Sequence, residues 1–126
     1  MTPTLMPGDY VFMTTVNPAV IASLSPQAIS TFKENEGLSM IVPVELAEGL
    51  EAGEGQPMRC ITLCVYSSLE GIGLTAAVSK ALSDAAIPCN MVAAFHHDHV
   101  FVPSAMCEKA LEVLAGLQSR AKEGLL

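Results

Sequence analysis

The sequence predicts an α+β fold in which antiparallel sheets are covered by helices and the chain forms two pseudo-repeated lobes. Three observations support this prediction. Apolar strands and amphipathic helices follow one another in the order β-α-β-β-α from residue 58 onward. A stretch rich in Gly and Glu at 49–57 separates this half from the first, and each half holds a hairpin followed by a helix start. The order is that of a ferredoxin-like βαββαβ sandwich without its last strand.

The elements of the C-terminal domain, residues 58–126, follow from hydrophobic periodicity. The apolar and β-branched run at 58–66 predicts a strand, and apolar residues at helical spacing from 74 to 85 predict an amphipathic helix. Pro88 ends that segment, and two apolar runs around a polar turn at 89–102 predict an antiparallel hairpin. A second helix follows, and its core-facing residues are expected to be Met106, Ala110, Val113, Leu114 and Leu117.

The N-terminal lobe, residues 1–52, is predicted to be incomplete. The run YVFMTT at 10–15 predicts a strand. Residues 28–34 fit two interpretations, because Ser25-Pro26 is a good helix start, but we expect a strand there that leads into the strand LSMIVP. The C-terminal domain still needs a fourth strand, and 10–15 is the best candidate to complete it.

The composition excludes several classes of partner and location. A net charge of −7 argues against nucleic acid or an anionic membrane as a partner, because both need a basic surface. No apolar run reaches the roughly 18 residues that span a bilayer, and the first ten residues lack the features of a signal peptide. The four cysteines lie in apolar segments without a Cys-x-x-Cys pair, which indicates free thiols in a reducing compartment. We therefore expect a cytoplasmic protein.

Four segments carry a resemblance to a known family. SSLEGIGLTAAVS at 67–79 and AFHHDHVFVP at 94–103, together with GDYVF and TFKENEGLSMIVP in the first half, resemble a family of small bacterial ACT-domain proteins of uncharacterised function. The resemblance spans most of the chain. It implies a pair of ACT-like lobes, a regulatory or sensor role, binding of a small molecule such as an amino acid, and no catalytic residues.

The last hairpin is also similar to that of the arginine sensor of animal TOR signalling. There a Phe-x-x-Asp at the hairpin turn lines the ligand pocket, and the matching positions in this chain are Phe95 and Asp98. The chain departs from the ACT domains of biosynthetic enzymes because its first loop lacks the Asp-x-Pro-Gly version of the motif. The resemblance therefore does not identify the ligand.

A candidate ligand site follows from the topology of the C-terminal domain. Loop 67–74 and turn 95–99 should lie at one end, because the first two strands of a βαββα unit run in the same direction. The helix start near Gly73 offers unpaired N–H groups to a carboxylate, and Asp98 offers an acceptor to an ammonium group. The expected ligand-binding residues are Ser68, Leu69, Gly71, Ile72, Gly73, Leu74, Thr75, Asn90, Ala94, Phe95 and Asp98.

Two other functions compete with amino-acid binding. The His96-His97-Asp98-His99 cluster contains good metal ligands, although a closed site needs about four of them and no second His group is present. Alternatively, the chain is an assembly module that oligomerises through sheet edges without a ligand. For the preferred interpretation we expect no catalytic residue, metal or cofactor, a homodimer, and an unidentified protein effector as a further partner.

Overall fold

The computed structural model describes residues 2–50, 55–64 and 73–122 of the chain. It divides into two compact units, Gly8–Met58, here called the N-terminal lobe, and Met1–Pro7 with Arg59–Leu126, here called the C-terminal lobe. The elements among the described residues are β1 (Thr2–Leu5), β2 (Tyr10–Thr15), α1 (Pro18–Leu24), β3 (Ser30–Glu34), β4 (Gly37–Pro43), α2 (Val44–Ala47), β5 (Met58–Cys64), α3 (Leu74–Asp84), β6 (Asn90–Ala93), β7 (Asp98–Pro103) and α4 (Cys107–Lys122). The predicted α+β class is confirmed.

The sheet of the C-terminal lobe has the strand order β1-β5-β7-β6 and is covered on one face by α3 and α4. Residues of β5 and β7 alternate, so that one set points to the helices and the other to the opposite face. The core contains no charged group among the described residues. Its buried members are Ile61, Leu63, Val78, Leu82, Ile87, Val100, Val102, Cys107, Ala110, Leu114 and Leu117.

The fourth strand of this lobe differs from the one that the sequence predicts. It is β1, which pairs with β5 in antiparallel register from Thr2 opposite Cys64 to Leu5 opposite Ile61. The expected strand, β2, instead pairs along its whole length with β4 in the other lobe, and only Tyr10 is also paired with Met58. Thr2-Pro3-Thr4-Leu5 is too short to show periodicity, and its proline is tolerated because β1 pairs on one side only.

Helix α4 presents a slightly different stripe from the expected one. A short 3-10 turn at Ser104–Met106 precedes it, so the helix begins at Cys107. This start turns Met106 toward solvent, where it is 38% exposed, and Cys107 takes the place in the core that Met106 was expected to fill. Val113 packs against the edge of the core rather than within it.

The N-terminal lobe has the strand order β3-β4-β2 in its sheet. Along the chain, α1 follows β2 and precedes β3. Residues 28–34 do contain a strand, but it starts at Ser30, and Ser25-Pro26 opens a 3-10 turn rather than a helix. Helix α1 was not predicted, because the pair Asn17-Pro18 also fits a turn. The pair is in fact a helix start. The core of this lobe contains Val11, Met13, Leu24, Met40, Val42 and Ala47.

The start of α1 depends on the side chain of Asn17. Its Oδ1 accepts hydrogen bonds from the backbone N–H groups of Ala19 at 2.9 Å and Val20 at 3.4 Å. We expect Asn17→Ala to lower the free energy of unfolding by about 1 kcal/mol, because two helix N–H groups lose this acceptor. Urea denaturation would measure the change. Asn17→Asp keeps an acceptor and should behave nearly as wild type, and a fully stable Asn17→Ala variant would contradict the assignment of this cap.

A second prediction concerns the attachment of β1. Leu5 is half-buried and packs against the C-terminal core, so Leu5→Ala should lower the free energy of unfolding of this lobe by about 1–2 kcal/mol. Thr2→Ala changes an exposed residue of the same strand and should shift stability by less than about 0.5 kcal/mol. Equal unfolding midpoints for the two variants would show that β1 adds nothing to the lobe in solution.

Candidate functional site

Helix α3 begins at a glycine rather than at a polar cap. Gly73 occupies the N-cap position with φ +84°, a left-handed conformation that glycine adopts without strain, and it has no side chain to bond the first helix N–H groups. Leu74 is half-buried against the core, whereas Thr75 is exposed. The first turn of α3 therefore presents backbone N–H donors and the positive end of the helix dipole, next to an exposed glycine.

The hairpin between β6 and β7 ends in a tight polar turn. The Ala94 N–H donates to the His97 carbonyl at 3.0 Å, and Asp98 begins β7 opposite Ala93. Phe95 at the tip is 95% exposed and meets the ring of His96 edge-on, with 4.9 Å between the ring centroids. Asp98 is half-buried beside this turn, and a carboxylate can accept charge-assisted hydrogen bonds from a cationic group of a ligand.

A hydrogen bond between two side chains joins β5 to β7. Thr62 Oγ1 and His99 Nδ1 are 2.9 Å apart, and Thr62 is 8% exposed, the one buried polar side chain that the described residues contain. Thr62 lies two residues before the end of β5, and His99 lies one residue after the start of β7. The bond thus brings the end of β5, which leads to α3, next to the turn that carries Asp98.

The predicted site residues fall into three groups in the structure. Ser68, Leu69, Gly71 and Ile72 lie outside the described residues. Asn90 begins β6, three residues before its end and therefore about 10 Å along the strand from the turn. The remaining residues lie at the start of α3 or on the hairpin turn, and they are Gly73, Leu74, Thr75, Ala94, Phe95 and Asp98.

The Thr62–His99 pair was not among the predicted site residues. A threonine between two cysteines in an otherwise apolar strand was the available signal, because a hydroxyl on such a strand needs a partner. Strand alternation at 58–66 also predicts a face of Cys60, Thr62, Cys64 and Tyr66 that is available for a homodimer. Cys60 and Thr62 are already buried in the single chain, so they provide no free surface, and Tyr66 lies outside the described residues.

The histidines do not form a metal centre in the described part of the chain. The rings of His97 and His99 are 6.4 Å apart between centroids, as are those of His96 and His97. No group of three or more His, Cys, Asp or Glu side chains in residues 2–50, 55–64 and 73–122 could hold a metal ion. The metal alternative raised by the sequence thus finds no support in these residues.

A separate open cavity of about 420 Å³ lies at the opposite end of α3. It is lined by Ser79, Ser83, Ala86, Ile87, Pro88 and Cys89.

Burial raises the pKa of the Cys89 thiol, and burial likewise raises that of Cys60 despite a hydrogen bond from Thr62 that acts in the other direction. All four cysteines are unpaired thiols, and the raised pKa makes these two poor nucleophiles near neutral pH.

Comparison with known proteins identifies the fold family. Residues 57–116 match one model of the ACT domain and residues 1–59 match another. The crystal structure of a protein of unknown function from Vibrio cholerae, described as a possible transport protein, is 40% identical, with a TM-score of 0.77 over 89% of this chain and 85% of that one. The chain belongs to the ACT-domain family. ACT domains are typically regulatory, ligand-binding domains.

More distant structures share the fold of this ACT-domain protein. A protein from Agrobacterium tumefaciens is 19% identical, with a TM-score of 0.69 over 90% of this chain and 86% of that one. The ligand-free regulatory subunit of aspartate kinase from Thermus thermophilus is 12% identical, with a TM-score of 0.62 over 90% and 94% of the two chains. No curated protein matches the sequence significantly. No helix in the described part of this ACT-domain protein is long and apolar enough to span a membrane.

The His99 imidazole should make stability depend on pH. Burial lowers the pKa of His99, and the neighbouring His97 lowers it further, against an opposing effect of Asp98. Above its ordinary pKa of about 6.5, His99 is neutral in both states. As the pH falls below that value, the unfolded chain binds a proton before the folded one does, so the free energy of unfolding decreases until the folded pKa is passed.

We therefore expect His99→Gln to remove part of the loss of stability between about pH 6.5 and the lower pKa of the folded state. Urea denaturation at a series of pH values would measure it. His96→Gln removes an exposed imidazole from the same hairpin and serves as the control. If both variants keep the pH dependence of wild type, the proton uptake of the unfolded state does not come from His99.

Proposed function

We propose that this ACT-domain protein is a non-catalytic regulatory protein that binds an amino acid at the end of the C-terminal lobe where α3 begins. The observation that carries the proposal is the Thr62–His99 hydrogen bond at 2.9 Å, since it brings the strand that leads to α3 beside the β6–β7 turn. Two groups of opposite electrostatic character are thereby expected at one end of the lobe: the N-terminus of α3 and the Asp98 carboxylate.

These two groups suit the two charges of an amino acid. The exposed Gly73 leaves space for a ligand to approach the backbone, and the first N–H groups of α3 would donate to its carboxylate with the helix dipole in the favourable direction. Asp98 would accept charge-assisted hydrogen bonds from its ammonium group. The exposed ring of Phe95 would cover the apolar part of the ligand, which supports a role for the hairpin tip in binding.

The remaining parts of the proposal concern assembly and location. We propose a homodimer, and support for it comes from β6, which among the described strands pairs with β7 alone and leaves its other edge open. The four unpaired thiols fit a reducing compartment, which supports a cytoplasmic location. The two raised thiol pKa values support the absence of cysteine catalysis.

A thermal-shift screen of the twenty amino acids tests the proposed function directly. A ligand that binds the folded state raises Tm by mass action, by an amount that grows with its concentration, whereas a pure assembly module should respond to none of them. Isothermal titration of the best amino acid should then give one site per chain. In Asp98→Asn we expect affinity to fall by about 100-fold, because a charged hydrogen-bond acceptor is lost.

Asp84→Asn provides the matched control for this experiment. Asp84 is an exposed carboxylate of the same lobe, at the far end of α3, where it is paired with Lys80 at 2.8 Å. The variant should bind as wild type. If no amino acid raises Tm, the proposed ligand class is wrong. If a ligand binds Asp98→Asn and wild type equally, the ligand lies elsewhere on the chain.

A further inference from the structure

The N-terminal lobe presents a free sheet edge at β3. Within the described residues β3 pairs only with β4, and four of its five residues are exposed. The backbone N–H and C=O groups on the side away from β4 therefore face outward, as on any edge strand. An edge of this kind is a template on which an extended peptide can add as a further strand.

This edge carries a large apolar side chain, Phe32, beside the two exposed charged residues Lys33 and Glu34. Phe32 in the middle of β3 is 72% exposed, and Ile29 just before the strand is 49% exposed. The register places Phe32 opposite Ser39, whereas Thr31 is opposite the buried Met40. Phe32 thus points away from the core of the lobe, on the same face as Ser39. Sheet edges that must stay unpaired usually avoid such residues.

The charge of the lobe indicates what kind of partner fits this edge. The sequence from 8 to 58 contains seven acidic residues and one basic residue, Lys33, whereas the rest of the chain contains six acidic and five basic residues. Glu34 ends β3, and Glu36 lies in the exposed turn that follows. A second copy would bring an equally acidic surface against this edge, which like-charge repulsion disfavours. A basic partner is attracted to it.

We propose that β3 is the docking site for a basic segment of another protein, which binds as an added β-strand. Phe32 and Glu34 lie on the same face of β3, so an apolar side chain of the added strand would pack on Phe32 and a Lys or Arg two residues along that strand would face Glu34. This inference does not depend on the ligand site, which lies in the other lobe. By this proposal the N-terminal lobe, which carries most of the excess negative charge, recognises a protein effector.

Synthetic peptides test the proposal on the full chain. The probe is a labelled peptide of the repeat Val-Val-Lys-Lys, which as a strand carries Val and Lys in turn on each face, and its counterparts are the same peptide with Glu in place of Lys and the Lys peptide with every backbone nitrogen methylated. We expect the Lys peptide to bind and to shift the amide NMR signals of Ser30–Glu34. Affinity should weaken as salt is added, since the charges are then screened. The other two peptides should not bind.

Two protein variants locate the contact. Phe32→Ser should weaken binding of the Lys peptide by about tenfold, the effect of losing one central apolar contact. Val16→Ser is the control, because Val16 is 73% exposed in the same lobe but lies outside β3. Both changed residues are exposed, so both variants should stay folded, as circular dichroism would check.

Several results would overturn the proposal. These are equal binding of the Lys and Glu peptides, binding of the methylated peptide, failure of the Lys peptide to bind at low ionic strength, or equal affinities in Phe32→Ser and Val16→Ser. Analytical ultracentrifugation tests the remaining possibility, that a second copy of this chain occupies the β3 edge. If wild type is a dimer that Phe32→Ser dissociates, a second copy occupies the edge and the basic partner is wrong.

Discussion

The pairing of β1 with β5 is the constraint on which the C-terminal lobe depends. Four residues at the start of the chain supply the strand that covers one edge of β5, and Leu5 adds to the apolar core beneath it. Beyond the strand, the Met6 N–H donates to the Cys60 carbonyl at 2.9 Å, and Arg59 Nη2 donates to the Met6 carbonyl at 3.1 Å. Without these residues β5 would expose a row of backbone groups beside the core.

The Thr62–His99 pair has a related role, because it specifies how β5 and β7 are aligned. A buried hydroxyl needs a hydrogen-bond partner, and in this lobe that partner is a side chain on the neighbouring strand. A slip of β7 by one residue would place Asp98 or Val100 beside Thr62 and would turn the apolar residues of β7 away from α3 and α4. The bond thereby also fixes where the hairpin turn lies at the end of the lobe.

The sequence predicts the long elements well and the short ones poorly. Helical spacing identified α3, and alternation with turn residues identified the hairpin of β6 and β7, because each pattern repeats often enough to be distinguished from chance. Strand β1 has only four residues, including Pro3, which are too few to show a hydrophobic period. The signal for the start of α1 is the pair Asn17-Pro18, which also fits a turn. The end of the lobe that holds the candidate site follows from topology. The Thr62–His99 contact does not, since it joins residues 37 positions apart whose pairing depends on tertiary register.

The use of β1 in the C-terminal lobe also affects the order in which the protein can fold during synthesis. Residues 8–58 form a lobe that is continuous in sequence, so it can fold once that stretch has left the ribosome. The first strand of the chain is made before this lobe, but its partner β5 is made after it. Thr2–Leu5 must therefore wait, unpaired, until more than half of the chain has been synthesised. Because Tyr10 is paired with Met58, folding of residues 8–58 already brings together the chain segments that lead to β1 and β5, so the entropy of closing this loop is spent before the C-terminal sheet is completed.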